Sequence, residues 1–417
     1  MSGLSYSMKF ILGLSPLLLA ASAVTAPSGL AAPLHVRSQP GSSQAALANR
    51  AFGLELYRNI AAKPGNNFIS PISLAGAFGP VAAGAQGETR QAIGRVFGFP
   101  SSDAALHPQL GGLLRSLNDD TEGARVSIAN ALWVAIGLPV KRSFIDVATS
   151  HYSAEVANLD FHNGAAAAAR INEWVNRETK GRIPTLIEAD SLDHMTALVV
   201  TNAVHFLGDW TVAFNASNTR PQPFHLSGGA VRNVPMMYGK RHVRYADVGP
   251  VQMIDLPYKG ERLSMSIILP KSRDGLSAVE AQLSDKAIAG WLGELDEGQP
   301  REVYVHVPKV KVESSYQLVE PLKQMGMGIA FEPGEANFRG IAETNLFISQ
   351  VVHKTFLRID EKGTEAAAAT GVEVELTSAP VIEPPTFRAD HPFLLLIRDK
   401  RTGAVLFLGR IADPTAT

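Results

Sequence analysis

Side chains that could act as nucleophile, general base or metal ligand are dispersed along this 417-residue chain rather than gathered into a motif. Cysteine is absent, the eleven histidines are scattered, and neither a Gly-x-Ser-x-Gly elbow nor a His-Glu-x-x-His pair occurs. Gly79-Pro80-Val81-Ala82-Ala83-Gly84-Ala85-Gln86 has the glycine spacing of a phosphate loop. It lacks the Lys-Ser/Thr that grips the phosphates, and it reads as a close-packed helix. Lys240, Arg241 and Arg244 form a small basic cluster that a solvated hairpin explains better than polyanion binding. A hydrolase is therefore not expected, and no cofactor or metal is implied.

What the chain offers instead is a segment able to change structure, residues 361–377. Counted by twos, Thr364, Ala366, Ala368, Thr370, Val372, Val374 and Leu376 fall on one side, small or apolar throughout. Glu365, Ala367, Ala369, Gly371, Glu373, Glu375 and Thr377 fall on the other, with every carboxylate after Gly363. That is the period of a half-buried strand. Yet the alanine run favours helix, and Gly363 and Gly371 make the backbone permissive. Such a segment suits a loop in one state and a sheet strand in another.

The elements that must position it are those of an ordinary globular protein, 46% hydrophobic and 18% charged. A net charge of −1 leaves no electrostatic footprint for nucleic acid or anionic membrane. Lys9, the apolar run from Phe10 to Leu19 and the small residues after it form a secretory signal pattern, too short for a spanning helix. Ala21-Ser22-Ala23 supplies the cleavage site, with Val24-Thr25-Ala26 a second choice. The expected organisation is a signal peptide over 1–23, a flexible leader over 24–44 and one domain over 45–417, with a mobile loop at about 361–387. The mature protein is expected to be secreted, extracellular or periplasmic.

Within the domain, helical spacing appears from Ala46 to Ile60, near Ile72 to Ala85, and from Ala165 to Glu178 with Gly181 as its cap. Thr196 to Phe206 reads as a strand covered on both faces. Leu263 to Leu269 and Val303 to Val312 are β-rich, and Phe393 to Leu408 forms a terminal hairpin across Asp399–Gly403. Helices and strands mix irregularly, which predicts an α+β class.

Segment 361–377, Val352-His353-Lys354 before it, and the ending His391-Pro392-Phe393 with Phe407-Leu408-Gly409-Arg410 together resemble the serpin family. So do Asn67-Phe68-Ile69-Ser70-Pro71-Ile72-Ser73, Gly84-Ala85-Gln86-Gly87-Glu88-Thr89, Ile171-Asn172-Glu173-Trp174-Val175-Asn176, Thr201-Asn202-Ala203-Val204-His205-Phe206-Leu207-Gly208-Asp209-Trp210 and Val234-Pro235-Met236-Met237, in the same order. The resemblance implies three β-sheets, about nine helices and an exposed reactive-centre loop. It implies a protease inhibitor, not an enzyme: a suicide substrate whose cleaved loop inserts into the main sheet and traps a serine protease as an acyl-enzyme. The alternative is a non-inhibitory serpin acting as a binding or chaperone-type protein, although such members usually carry bulky, charged or proline residues in the hinge. A monomer without cofactor is expected.

In family register the hinge is Glu361, Gly363, Thr364, Glu365, Ala366, Ala367, Ala368, Ala369 and Thr370. The reactive bond is Thr377–Ser378, or Leu376–Thr377 if the register slips by one. Thr377 would bait elastase-like proteases, and Leu376 chymotrypsin- or subtilisin-like ones. Ser70, Ser73, Asn202 and His353 match the shutter, a polar network beneath the main sheet, although His353 alone reads as a satisfied core histidine. Trp210 and Lys309 match the breach at the top of that sheet, with Lys309 paired to Glu361.

Overall fold

The computed structural model describes residues 43–118, 123–364 and 383–416, all within one compact unit. The signal peptide, nearly all of the leader, hinge residues 365–370, and Leu376, Thr377 and Ser378 lie outside these residues. The helices are α1 (Gln44–Ile60), α2 (Pro71–Gly84), α3 (Gly87–Phe97), α4 (Asp103–Asn118), α5 (Arg142–Tyr152), α6 (Gly164–Glu178), α7 (Leu276–Gln282), α8 (Asp285–Glu297) and α9 (Val319–Leu322). The first eight strands are β1 (Asn67–Ile69), β2 (Ala124–Ala135), β3 (Glu155–Leu159), β4 (Leu198–Asp209), β5 (Arg220–His225), β6 (Val231–Val248), β7 (Val251–Pro257) and β8 (Leu263–Pro270). The remainder are β9 (Arg301–Pro308), β10 (Val310–Gln317), β11 (Ile348–Ile359), β12 (Gly363–Thr364), β13 (Thr386–Arg388), β14 (Phe393–Asp399) and β15 (Val405–Ile411).

Local chemistry accounts for the helix starts. Ser43 accepts the Ala46 N–H at the head of α1, and Asn163 accepts the Ala166 N–H at the head of α6. Pro71 at the first turn of α2 follows Ser70, whose hydroxyl caps it. The glycines of α2 are there for packing, as read from sequence. A Cβ on Gly79 would sit 2.3 Å from the Tyr152 ring, and one on Gly84 would sit 2.2 Å from Ile341.

The main sheet runs β10-β11-β12-β4-β2-β3. A second sheet runs β1-β15-β14-β8-β7-β6, and a third joins β5 and β9 to β6, with β13 beyond β9. The 18-residue β6 belongs to both, its Met236–Val243 part pairing β9 and its Arg244–Val248 part pairing β7. This is the α+β, three-sheet architecture expected. One face of the main sheet packs Val200, Val204 and Phe206 against α2 and the second sheet. The opposite face packs Trp133, Val199 and Phe356 against Ile171, Trp174 and Val175 of α6. β4 is buried along almost its whole length, as its continuous apolar run requires.

Three sequence readings need correction. Val303 to Val312 is two strands, not one: Pro308 ends β9, and β10 begins at Val310 after Lys309. Lys240 and Arg241 lie mid-strand in β6, where it pairs β9, and only Arg244 stands on the β6–β7 hairpin. Arg241 is buried, its guanidinium 4.3 Å from the Phe214 ring centre. The loop is also narrower than 361–387, because Gly363 and Thr364 already form β12 and Thr386 and Phe387 belong to β13.

Arg398 on β14 is buried between Asp255 and Asp296, and Lys400 also reaches Asp255. Burial opposes ionisation of Asp255, but Arg398 and Lys400 outweigh it and hold the carboxyl well below the usual range. Arg398→Met would strand a buried carboxylate and should cost about 3 kcal/mol, read as a fall in the urea midpoint. An unchanged midpoint would show that Lys400 alone satisfies Asp255.

Candidate functional site

Beneath its top, the main sheet is closed. β11 pairs directly with parallel β4 from Ile348–Leu198 to Phe356–His205. Only at the upper end do the two strands part, and there β12 is wedged between them. Gly363 pairs with Asp209, and Thr364 pairs with both Gly208 on β4 and Ile359 on β11. The chain reaches this slot by a tight turn in which Asp360 N–H donates to Gly363 O and Gly363 N–H donates to Asp360 O. Gly363 has no substitute here, since a Cβ would lie 1.9 Å from Gly208 O.

The slot is built from residues named by the sequence and one that was missed. Trp210 donates its indole N–H to Asp360 O at 3.0 Å and its backbone N–H to Lys362 O at 2.9 Å. Its ring stacks on Tyr258 at 4.6 Å, and the Tyr258 hydroxyl lies 2.8 Å from Thr364 Oγ1. Thr364 is fully buried, on the face its alternation predicts. Lys309 Nζ meets Glu361 Oε2 at 2.7 Å, and the Thr219 hydroxyl donates to Oε1. Burial opposes the Glu361 charge, but Lys309 and Thr219 prevail and lower its pKa. Tyr258 left no signal in the sequence beyond an aromatic after Pro257.

Halfway down the seam, the four shutter residues come together. His353 and Asn202 are register partners on β11 and β4. Their side chains bond across the seam, Nδ1 to Oδ1, at 2.5 Å. Ser70 N–H donates to His353 Nε2 at 3.1 Å, which leaves Nδ1 as the protonated nitrogen of a neutral ring. Asn202 Nδ2 donates to Ser73 and to Asn130 Oδ1, while the Ser70 hydroxyl donates to Leu406 O. Asn130 was also missed, although a lone amide amid Ile128-Ala129-Asn130-Ala131-Leu132-Trp133 is the kind of signal that marks a buried polar partner. Every member is buried, and the network joins β2, β4 and β11 to the head of α2 and, through Leu406 O, to β15.

A profile of the serpin family, described as serine protease inhibitor, matches residues 47–414. The chain is a serpin. An uncharacterized serpin-like protein of Thermococcus kodakarensis is 40% identical over 370 residues, 87% of this chain and 84% of the relative. The leukocyte elastase inhibitor of Xenopus tropicalis is 34% identical over 374 residues, 87% of this serpin and 97% of that one. Human thyroxine-binding globulin, solved with its thyroxine, superposes with a TM-score of 0.81 at 31% identity, over 89% of this chain and 99% of that one. Serpins are mostly protease inhibitors, with serine proteases as their general targets, and the proteins similar to this one include both an elastase inhibitor and a thyroxine-binding globulin.

Three buried histidines should make the stability of this serpin fall in acid. Burial pushes His353 down to about 3. Burial, with Arg182, Lys180 and Arg125 nearby, takes His205 on β4 to about 4. Burial and Arg388 take His306 to about 4. An unfolded histidine takes up its proton near pH 6.5, so the unfolded state binds more protons below that pH. Their contribution is complete above pH 6.5 and is lost as pH falls, down to about 4 for His205 and His306 and about 3 for His353. His353 alone should cost about 2 kcal/mol between pH 7 and 5, measured as the shift in urea midpoint. Among the described residues, neither ring nitrogen of His205 has a hydrogen-bond partner. His205→Phe should therefore keep neutral-pH stability and flatten the slope, and a pH-independent wild type would contradict the assignment.

Proposed function

We propose that this serpin is a secreted inhibitor that entraps serine proteases covalently by strand insertion. The observation that carries the reading is β12: hinge residues Gly363 and Thr364 already occupy the slot between β4 and β11, while the seam below them is intact. Protease attack on the loop carbonyl would give an acyl-enzyme. The freed strand would then advance down the seam, parting β11 from β4 and carrying the protease with it before water resolves the ester. The nucleophile and base belong to the protease.

Two independent registers support that path. Thr364 opposes Gly208 and Ile359, and continuing the antiparallel count on both sides sets Thr370 opposite Asn202 and His353. Those two residues are each other's partners in the closed sheet, so one inserted strand satisfies both neighbours without a slip. A threonine hydroxyl arriving there can donate and accept where the His353–Asn202 bond is broken. Ala366, Ala368, Val372 and Val374 would follow Thr364 onto the α2 face, and Glu365, Glu373 and Glu375 would face α6.

The energetics run downhill only with help from the sheet. Each new ladder bond contributes about 1 kcal/mol net, and ordering each residue's backbone costs about 1–2 kcal/mol. Burying Val372, Val374 and Leu376 adds roughly 1.5–3 kcal/mol each. Relief of the native sheet supplies the balance. A binding role, suggested by the likeness to thyroxine-binding globulin, would not need a hinge free of bulky inward residues.

Thr377 before the cut suits an elastase-like pocket, and Leu376 a chymotrypsin- or subtilisin-like one. Incubation with elastase should give a complex that survives SDS, with a released fragment beginning at Ser378. A fragment beginning at Thr377 would move the bait to Leu376. Thr364→Arg places an unpaired charge in the slot at a cost of several kcal/mol, so the complex should give way to simple cleavage. Trapping of trypsin, or full complex yield from the variant, would overturn the specificity or the insertion path respectively.

A further inference from the structure

The far end of the loop is held on the third sheet by β13, a strand of three residues that pairs with β9 in parallel register from Thr386–Tyr304 to Arg388–His306. Tyr304 N–H donates to Pro385 O and Ala389 N–H donates to His306 O, both at 2.9 Å, and Phe387 is buried. On the face opposite Phe387, register sets Tyr238 of β6, His306 of β9 and Arg388 of β13 in one row. His306 is buried between its neighbours, with the Tyr238 ring centre 4.7 Å away. Arg388 donates from Nη2 to His306 Nε2 at 3.1 Å and from Nη1 to Gln222 Oε1 at 2.6 Å. A guanidinium can only donate, so Nε2 is the bare nitrogen of a neutral ring and Nδ1 carries the proton. Among the described residues, Nδ1 is buried without a hydrogen-bond partner.

We propose that the His306–Arg388 bond is an acid-labile clasp, holding β13 to the third sheet at neutral pH and releasing this anchor of the loop in acid. A second proton on the ring must go to Nε2, where it ends the bond and sets an imidazolium against a guanidinium. Release of β13 carries Arg388 away and gives both ring nitrogens access to water. The charges acting on the ring are those of Arg388, which opposes protonation, and Asp390, which favours it less strongly and is itself bonded to His391. Tyr238 and Tyr304 present phenol rings to this face, and farther along it Lys240 pairs with Glu302. Burial and Arg388 hold His306 at about 4 while β13 is docked, whereas an uncovered histidine titrates near 6.5. The released form therefore binds more protons below pH 6.5, and release gains ground as pH falls toward 4.

Amide hydrogen exchange on the intact protein tests the clasp. The Ala389 amide and its β13 neighbours are the reporters, and β14 (Phe393–Asp399) is the reference for wider unfolding. Rates at pH 7 and pH 5 are each divided by those of an unstructured peptide of sequence 383–391. The opening equilibrium of β13 should rise about twentyfold between the two pH values, with β14 staying at least about tenfold better protected. His306→Gln keeps an acceptor for Arg388 and cannot titrate, so its β13 should change by less than about threefold. If that variant fails to fold, His306→Phe, which lacks the acceptor, should leave β13 equally open at both pH values. A pH-independent β13 in the wild type, an acid response retained by either variant, or β13 and β14 opening together would overturn the proposal. The clasp involves no residue of the slot or the seam and its test reads no protease complex, so it and the inhibitory reading stand or fall separately.

Discussion

The hydrogen bond from His353 to Asn202 crosses the one seam that the proposed insertion would require this fold both to keep and to give up. It joins β11 to β4 at a point where the two strands run parallel, with His353 and Asn202 in register. An apolar pair would hold the seam by packing alone and would gain nothing from a newcomer between them. A neutral imidazole and an amide can exchange one partner for another, provided each stays satisfied. That requirement explains the surrounding company: Ser70 N–H fixes the tautomer, and Ser73 and Asn130 hold the amide from the far side. It also explains why His353 stays uncharged, since an imidazolium could not accept from Ser70.

The top of the seam is the complementary device. Gly363 lets the backbone approach Gly208 more closely than any side chain would allow, and Thr364 is anchored by Tyr258 beneath Trp210. The wedge begins strand separation at Gly208 and Ile359 but stops short of the Phe356–His205 pair. Lys309 and Glu361 fix the turn that feeds it. The pair is only half-buried, and its value here is in direction. The charged side chains sit outside the slot, so the only groups that enter are Gly363 and Thr364.

Much of this was legible in the sequence because it was written in periodicity. Alternation along 361–377 assigned Thr364 to the buried face, where it lies, and the apolar run of β4 announced a strand covered on both sides. The family resemblance added the polar partners. Contacts that arise only from tertiary approach stayed hidden. Tyr258, just past the end of β7, and Asn130 on β2 reach the site from far away in sequence, and neither sits in a motif of its own. The break at Pro308 was missed because valines continue on both sides of it, although a proline within a strand run is a warning. Lys240 and Arg241 were misread because β6 crosses from one sheet to another, a bend that no local pattern reports.

The central claim is that the closed seam is a higher-energy arrangement than one filled by the loop. Cutting the chain once within residues 371–380 with a protease that is not trapped, then recording thermal unfolding before and after, tests it directly. Insertion predicts that the nicked protein melts well above the intact one, because a new central strand has joined the main sheet. Superimposable melting curves would mean that the seam has no drive to open, and the account of this serpin as an inhibitor by insertion would be wrong.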